Sequence, residues 1–286
     1  MTRDSAALPL TDTTAPMPVL FISHGAPTFA LEPGRLGPQL QALGAALPVP
    51  RAVLVVSPHW TAPQARVATT AAPATIHDFR GFPAPLYRLA YPAPGAPAVA
   101  ARAQALLQAA GWPVQADPAR GLDHGAWVPL RYLFPAADVP VFQLAMPAGL
   151  DAEGAYALGR ALAPLRQEGV LVVGSGSLTH NLYEIAAPGA AAADYAQAFA
   201  GWVRAAVADR DHARLRRTLE DAPHAARAHP TTEHFLPLLV AAGAAGDAAP
   251  VRVLDGGILY GVLSMESYAF GLPEAAASTP PTPPSA

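Results

Sequence analysis

Short apolar runs rich in β-branched residues alternate along this chain with longer stretches of helical periodicity. The runs that predict buried strands are residues 18–23, 51–57, 139–146, 169–174 and 251–254, with a late strand within 260–268. The stretches that predict helices are residues 96–110, 151–166 and 192–207, the second with Asp151 as a suitable N-cap. Such alternation favours a single α/β domain, in which a mostly parallel or mixed sheet is covered by helices on both faces.

The two ends of the chain differ in composition from the rest. Residues 1–16 are polar and include Asp4 and Asp12, so we expect a disordered leader rather than a signal peptide. Residues 274–286 end in STPPTPPSA, so we expect a disordered proline-rich tail. Residues 17–273 contain no evident linker and are expected to form one domain.

Composition excludes several kinds of chemistry. The chain has no cysteine and all 18 of its basic residues are arginine, which rules out disulfides, thiolate ligands and catalytic or phosphate-binding lysines. The net charge of -3 provides no cationic surface for nucleic acid, and no apolar run reaches transmembrane length. We therefore expect a cytoplasmic protein without nucleic-acid or membrane partners, and the oligomeric state is not indicated.

Three of the nine histidines closely follow predicted strands. His24 follows the run PVLFIS, His59 ends RAVLVVSPH, and His180 ends GVLVVGSGSLTH. Glycine, serine or proline lies next to or within a few residues before each of them, and these residues allow a strand to turn sharply. Because functional residues in α/β sheets gather beyond the carboxyl ends of strands, we expect these three side chains to converge at one edge of the sheet.

A second set of histidines lies on predicted loops. His124 lies in GLDHG, His77 lies in TIHDF, and His229, Glu233 and His234 lie in HPTTEHFLPLL. Residues at 233 and 234 are about 100° apart on a helix, so only one of them points easily into a given site. The polar segment around residues 212–224 carries two further histidines, which we expect at the surface.

Imidazole ligands without thiolates suit zinc, iron, copper or nickel. A shell of two or three protein ligands with an open position is typical of a catalytic metal site. The spacing matches neither a zinc finger nor an HExxH helix. The residues by themselves therefore predict a histidine-rich catalytic metal centre, without indicating which metal or which reaction.

Six ordered segments together resemble the extradiol aromatic ring-opening dioxygenases of the 4,5-DOPA dioxygenase type, which are related to the B subunits of protocatechuate 4,5-dioxygenases. The segments are FISHGAPTFAL (21–31), VVSPHW (55–60), TIHDFRGFPAPLY (75–87), GLDHGAWVPL (121–130), GSGSLTHNL (174–182) and HPTTEHFLPLL (229–239). They extend over nearly the whole chain apart from its ends. The resemblance implies that residues 17–273 form a catalytic domain that opens a small catechol-type diol with O2.

The resemblance also implies a divalent metal, iron(II) for activity and zinc as a possible bound metal. His24 and His59 correspond to metal ligands, and the next ligand corresponds to His234, with Glu233 as the alternative. His180 corresponds to the acid/base residue near oxygen, or to an extra ligand. A carboxylate in the third position would complete a two-histidine, one-carboxylate triad, whereas His234 would make the site richer in imidazole.

His124 corresponds to a second catalytic histidine of the pocket, which would hold the oxygenated intermediate. His77, Phe79, Phe82 and Tyr87 belong to a segment that could line an aromatic-ring pocket, and ordinary core packing explains them equally well.

Two other functions use the same residues. A zinc-dependent hydrolase would activate water on the same histidines, and a non-catalytic homologue would only bind metal. A serine hydrolase fits poorly because the chain lacks a GxSxG elbow, and the glycines at 174 and 176 lack the third glycine of a dinucleotide fingerprint.

Overall fold

The computed structural model describes residues 15–272. The predicted tail, and all but the last two residues of the predicted leader, lie outside the described residues. Within them the strands are β1 (Val19–Ser23), β2 (Ala52–Ala62), β3 (Ala65–Ala68), β4 (Val114–Asp117), β5 (Val141–Pro147), β6 (Val170–Gly176), β7 (Val251–Leu254), β8 (Ile258–Leu259), β9 (Leu263–Ser264) and β10 (Ser267–Phe270).

The α-helices of the same range are α1 (Leu36–Ala46), α2 (Pro97–Ala109), α3 (His124–Leu133), α4 (Ala152–Leu162), α5 (Asp194–Ala208), α6 (His212–Arg216), α7 (Thr218–Asp221), α8 (Ala225–Ala228) and α9 (Leu236–Ala245). Single 3-10 turns are found at Pro27–Ala30, Ala84–Arg88, Ala163–Glu168 and Leu182–Glu184. None of these helices is long and apolar enough to cross a membrane.

The main sheet has eight strands in the order β4-β3-β5-β2-β6-β1-β10-β7. Its centre is parallel, because β2 pairs with β5 and β6, and β6 pairs with β1. Antiparallel pairs occur at β3–β5, β1–β10 and β10–β7. The predicted single domain with a mixed sheet is confirmed, and the carboxyl ends of β1, β2 and β6 lie side by side at one edge.

The central strands are apolar on both faces because helices cover both sides of the sheet. Leu54 and Val56 of β2 belong to a buried core that includes residues of α2, α4, α5 and α9. Val53 and Val55 of the same strand belong to the opposite core, formed with α1 and α3. Successive side chains of a strand point to opposite faces, so a strand buried on both faces shows no polar alternation.

Helix α9 lies directly on the sheet because glycines leave room for its backbone. A Cβ at Gly174 would lie 2.0 Å from the Pro237 carbonyl oxygen, and one at Gly176 would lie 2.2 Å from the His234 carbonyl oxygen. The backbone N–H of Ser177 donates to that same His234 oxygen at 3.0 Å. The glycine-rich end of β6 thus allows the start of α9 to pack closely against the sheet. The HPTTEH segment lies just before this helix.

Several sequence predictions differ from the structure in extent. β2 runs to Ala62, beyond the predicted end at 57, so that His59 lies within the strand. His124 is the first residue of α3 and not a loop residue. The late strand predicted within 260–268 is interrupted, because Tyr260 and Gly261 have positive φ angles of 52° and 73°. Strands β3 and β4 and helix α1 were not predicted, since their apolar patterns are short or weak.

Two local predictions have clear outcomes. Asp151 is the N-cap of α4, where its carboxylate accepts the N–H of Gly154 at 2.7 Å. His212 is buried rather than exposed, and its Nδ1 lies 2.9 Å from the Tyr156 hydroxyl. The polar residues around His212 conceal a tertiary contact that local composition does not reveal.

Candidate functional site

His24 is held at the end of β1 with its side chain buried. It follows Ser23, the last residue of the strand, and its backbone N–H donates to the Gly176 carbonyl at 2.9 Å. Its side chain is almost wholly inaccessible, with 1% of the residue exposed. Gly25 then turns the chain with a φ of 61°. The strand end and the turn together aim the His24 ring across the edge of the sheet.

His59 lies where β2 is irregular. The pairing of β2 with β5 is regular up to Val56 and resumes at Thr61 with a shifted register. Between these positions the chain bulges, and a bulge re-aims side chains relative to a regular strand. The His59 side chain is 21% exposed, so it lies at the mouth of the site rather than in the core.

His124 is positioned by a carboxylate from a distant loop. Asp78 accepts the backbone N–H of His124 with one oxygen and the ring Nδ1–H with the other, each at 2.8 Å. Burial by itself would raise the pKa of Asp78, but the hydrogen bonds and charge of His124 outweigh it and hold the pKa at about 2. Asp78 is therefore ionised at neutral pH and fixes the orientation of the His124 ring.

His180 and His234 form a stacked pair. Their ring centroids are 3.5 Å apart and their planes differ by 9°. His234 is buried, whereas the Glu233 side chain is 37% exposed and accepts hydrogen bonds from Thr231 and from His234 Nδ1. Of the pair 233 and 234, the ring of His234 lies among the other histidines, and the Glu233 carboxylate lies beside it with an oxygen within 4.8 Å of ring nitrogens of both His234 and His180.

Five histidine rings thus form one cluster around His24. Its centroid lies 5.0 Å from that of His59, 5.3 Å from that of His124 and 5.6 Å from that of His234. The His59 centroid lies 3.9 Å from that of His124 and 5.1 Å from that of His234. His180 joins the cluster through His234. The predicted convergence of the strand-end histidines is therefore what the structure shows.

Hydrogen bonds determine which ring nitrogen of three of these histidines carries the proton. The Nδ1 atoms of His124 and His234 face carboxylates, which can only accept. His24 Nδ1 lies 3.0 Å from Ser175 Oγ, whose own proton goes to the Gly125 carbonyl, so Ser175 must accept from His24. In its neutral form each of these three rings therefore presents an unprotonated Nε2, the form in which imidazole binds a metal.

The donor set fits a divalent metal. His24 Nε2 and His59 Nε2 are 3.0 Å apart. Two nitrogens that bind one ion at about 2.1 Å and at a right angle lie roughly 3.0 Å apart. Two groups of three residues could each hold a metal ion, because within each group the possible ligand atoms lie within 4.8 Å of one another. One group is His24, His59 and His124, and the other is His180, Glu233 and His234.

Burial favours the neutral form of four of the five histidines in the cluster. Burial, reinforced by the neighbouring imidazoles, lowers the pKa of His24 well below its usual value and that of His59 to about 4. Burial also lowers the pKa values of His180 and His234. Neutral imidazoles keep their lone pairs available to a cation at neutral pH, so the site is prepared for a metal rather than for an anion.

Aromatic side chains adjoin the cluster on the side of His124. The Phe79 ring lies 5.8 Å from that of His124 and also contacts Phe82 and Tyr87, at 5.5 and 5.3 Å. The His77 ring lies 5.8 Å from Phe79, and its Nε2–H donates to the Leu89 carbonyl at 3.0 Å. Phe79 is buried while Tyr87 is 39% exposed, so this segment forms a wall from the cluster to the surface.

Sequence reasoning missed Asp78 and Ser175, which orient His124 and His24. Asp78 directly follows His77 in the TIHDF segment, and Ser175 lies in GSGSL. A carboxylate or hydroxyl near a histidine in sequence is common, and here each partner histidine is distant along the chain. No local signal identifies either residue.

The α/β fold and the histidine cluster at the edge of its sheet are the features of a histidine-rich α/β protein, and comparison with known proteins identifies the family. Residues 36–271 match the family described as the catalytic LigB subunit of aromatic ring-opening dioxygenase. The chain belongs to this family of aromatic ring-opening dioxygenases.

Particular relatives are similar over nearly their whole length. The chain is 42% identical to a "4,5-DOPA dioxygenase extradiol" of Beta vulgaris over 254 residues, covering 87% of this chain and 95% of the relative. It is 39% identical to a protein of the same name from Escherichia coli (strain K12), covering 89% and 95%. A crystal structure of an uncharacterized protein from Escherichia coli K12 superposes with a TM-score of 0.74 at 33% identity, covering 89% of this chain and 100% of that one.

Proposed function

We propose that this protein is an extradiol dioxygenase that opens a catechol-type ring with O2 at a non-haem divalent metal. The observation that carries the proposal is the cluster of neutral, convergent imidazoles at the carboxyl ends of β1 and β6 and in the bulge of β2, in a chain of the ring-opening family. Iron(II) is the metal proposed for activity, and zinc suits the same nitrogen donors.

The proposed ligands are His24, His59 and His234. A ligating ring has its centroid roughly 3.2 Å from the ion, so two such rings at about 90–110° have centroids roughly 4.6–5.3 Å apart. The three distances within this set are 5.0, 5.1 and 5.6 Å, close to that range. The 3.9 Å between His59 and His124 is too short for two ligands of one ion, which favours His234 over His124.

Glu233 is proposed to act through His234 rather than as a ligand. It accepts the Nδ1–H of His234 at 3.2 Å and is more exposed than its neighbour. A carboxylate in this position fixes the tautomer of a ligating histidine and increases its basicity.

His180 is proposed as the residue that moves protons. An imidazole lone pair lies in the ring plane, so two parallel rings 3.5 Å apart cannot both direct lone pairs at one ion. This argues against His180 as an extra ligand beside His234. No other residue within 15–272 is hydrogen-bonded to the His180 ring, so a ring nitrogen is available to accept a proton from a diol hydroxyl and to return it as the ring opens.

His124 is proposed to contact the reacting oxygen atoms through Nε2, which accepts a hydrogen bond when the ring is neutral and donates one when the ring is protonated. Its Nδ1 is committed to Asp78, which leaves Nε2 directed toward the cluster. The metal, when bound, would hold the diol and O2 together and lower the pKa of the diol hydroxyls. The protein supplies orientation and proton transfer around it.

The proposed substrate pocket is the aromatic wall formed by His77, Phe79, Phe82 and Tyr87. A flat ring packs well against such side chains. Because relatives that are 37–42% identical are named 4,5-DOPA dioxygenases, DOPA is the first catechol to test.

The test is oxygen uptake by protein reconstituted with iron(II) under argon and given a panel of catechols that includes DOPA. We expect stoichiometric oxygen consumption with the appearance of a yellow ring-opened product. His24→Ala removes a proposed ligand and should abolish oxygen uptake. His212→Gln is the control, because it replaces a buried histidine that lies outside the cluster and should retain oxygen uptake. No uptake with any catechol, although iron is bound, would refute the proposal.

A further inference from the structure

A buried carboxylate lies directly behind the histidine cluster. Asp123 is completely inaccessible and accepts hydrogen bonds from Ser57 Oγ at 2.9 Å, Gln143 Nε2 at 2.8 Å and an Arg120 amino group at 2.7 Å. Its backbone N–H donates to Gln143 Oε1 at 2.9 Å. A buried charge is tolerated only when it is paired and hydrogen-bonded, and Asp123 is both.

Two partners of Asp123 also bind the backbone of His59. Ser57 Oγ accepts the His59 N–H at 3.3 Å, and the same Arg120 amino group donates to the His59 carbonyl at 3.3 Å. The Arg120 guanidinium also lies 4.9 Å above the Trp60 ring. The carboxylate therefore reaches both polar groups of the His59 backbone through one intermediate on each side.

These hydrogen bonds to the His59 backbone lie where β2 has no regular pairing with its neighbouring strand. The regular register of β2 with β5 stops at Val56 and resumes at Thr61. Backbone groups that lack a ladder partner need another one when they are buried. Ser57 and Arg120 supply those partners for His59, and Asp123 holds both of them.

The same carboxylate belongs to the residue immediately before His124. Asp123 is at the N-cap position of α3, and Gly125 follows His124. A Cβ at Gly125 would lie 2.4 Å from Ser57 Oγ and 3.1 Å from the His59 ring. The start of α3 is thus pressed against the bulge of β2, with Asp123 between them.

We propose that Asp123 is a positioning residue that fixes the His59 ring relative to the His124 ring by tying the bulge of β2 to the start of α3. The proposal rests on the proposed function, in which His59 is a ligand and His124 contacts the reacting oxygens. Asp123 itself touches neither metal nor substrate; it sets the 3.9 Å relationship between two rings that do.

The primary variant is Asp123→Asn. It conserves shape but removes the negative charge that pairs with Arg120, and its amide NH2 faces a donor in either orientation: Arg120 and Gln143 at the Oδ2 position, or the Ser57 hydroxyl at the Oδ1 position. Ser57→Ala is the milder variant, because it removes one link and leaves the carboxylate paired. Arg166→Gln is the matched control: it disturbs another partly buried arginine, which binds the carbonyls of Met17 and Ala245.

The first measurement is made without metal, by recording the ring ¹H–¹⁵N correlations of the histidines in folded protein. We expect Asp123→Asn to shift or broaden the signals of His59 and His124, Ser57→Ala to do so less, and Arg166→Gln to leave them unchanged. This readout does not depend on activity, so it tests the positioning role even if the proposed function fails.

The second measurement is cobalt(II) binding, followed by the visible absorption of the bound ion. Loss of an outer partner of a ligand commonly weakens metal binding roughly 10–100-fold, and we expect Asp123→Asn to fall in that range with an altered spectrum. Wild-type protein that takes up no cobalt would count against the proposed function alone. Unchanged His59 and His124 signals in folded Asp123→Asn, or equal changes in Arg166→Gln, would overturn the positioning role.

Discussion

Asp78 binds the backbone N–H and the ring Nδ1–H of His124 with its two carboxylate oxygens, both at 2.8 Å. Asp78 lies 46 positions earlier in the chain, so this pair exists only in the folded protein. The arrangement fixes both the start of α3 and the tautomer of its first residue.

The Asp78–His124 pair predicts a specific effect of Asp78→Asn. One carboxylate oxygen becomes an amide NH2 that cannot accept, so either the backbone N–H or the ring Nδ1–H of His124 loses its acceptor, and the two bonds no longer fix the ring together. We expect kcat for oxygen uptake with a catechol to fall by roughly 10²-fold, within the range that a positioned proton-transfer group contributes. Asp151→Asn is the control, because asparagine also caps helices well. An unchanged kcat in folded Asp78→Asn would show that the role of His124 does not depend on Asp78.

Ser175 offers a test of metal binding through His24. Ser175→Ala removes the acceptor of the His24 Nδ1–H, and we expect metal affinity to fall roughly 10–100-fold. His24→Ala removes a ligand and should cost more than that. Both are measured as metal retained after dialysis against a competing chelator. Equal retention by wild type and His24→Ala would exclude His24 as a ligand.

The adjacent residues 233 and 234 can be separated by substitution. Because Glu233 is proposed to support His234 from outside, Glu233→Gln should retain metal with reduced affinity, whereas His234→Ala should lose it. Metal content by elemental analysis after reconstitution distinguishes the two. The reverse pattern would make Glu233 the third ligand.

Gly176 predicts a steric effect on the same region. In Gly176→Ala the new Cβ would lie 2.2 Å from the His234 carbonyl oxygen, so the start of α9 must move. We expect a loss of about 1–3 kcal/mol in the free energy of unfolding, together with weaker metal binding. Gly201→Ala is the control, because nothing lies within 4 Å of its Cβ in helix α5 and alanine should stabilise that helix by up to about 1 kcal/mol. Chemical denaturation measures both, and equal stability of the two variants would contradict the close packing.

Because the His229 ring is buried, we expect it to make the free energy of unfolding depend on pH. It is buried, its Nε2–H donates to the Leu178 carbonyl at 2.9 Å, and burial lowers its pKa to about 4. A histidine whose pKa is lower in the folded state stabilises the fold fully above its unfolded pKa of about 6.5 and progressively less as the pH falls to about 4, by roughly 3 kcal/mol in total.

The measurement is urea denaturation of metal-free wild type and His229→Leu between pH 7.5 and pH 4. The cluster histidines titrate in both proteins, so the difference between them isolates His229. We expect the advantage of wild type to shrink as the pH falls. A constant difference in the free energy of unfolding across this range would show that the pKa of His229 is the same in the folded and unfolded states.

Local sequence determined the buried central strands, several of the helices and the histidines that follow or interrupt strands. Apolar β-branched runs identified β1, β2, β5, β6 and β7, because a strand covered on both faces must be apolar throughout. The positions of His24, His59 and His180 near strand ends are visible in the sequence, and the six ordered segments by themselves indicate the family.

Tertiary structure decided the relationships within the site. The near-parallel stack of His180 on His234 and the hydrogen bonds of Asp78 to His124 join residues that are far apart in the sequence. The greater exposure of Glu233 compared with its neighbour His234 also results from tertiary packing. Likewise, His59 and Asp123 are linked through Ser57 and Arg120 only because the start of α3 packs against the irregular part of β2. Such contacts depend on the order of strands and on backbone approach at glycines, which result from packing the whole chain and leave no pattern in the neighbouring sequence.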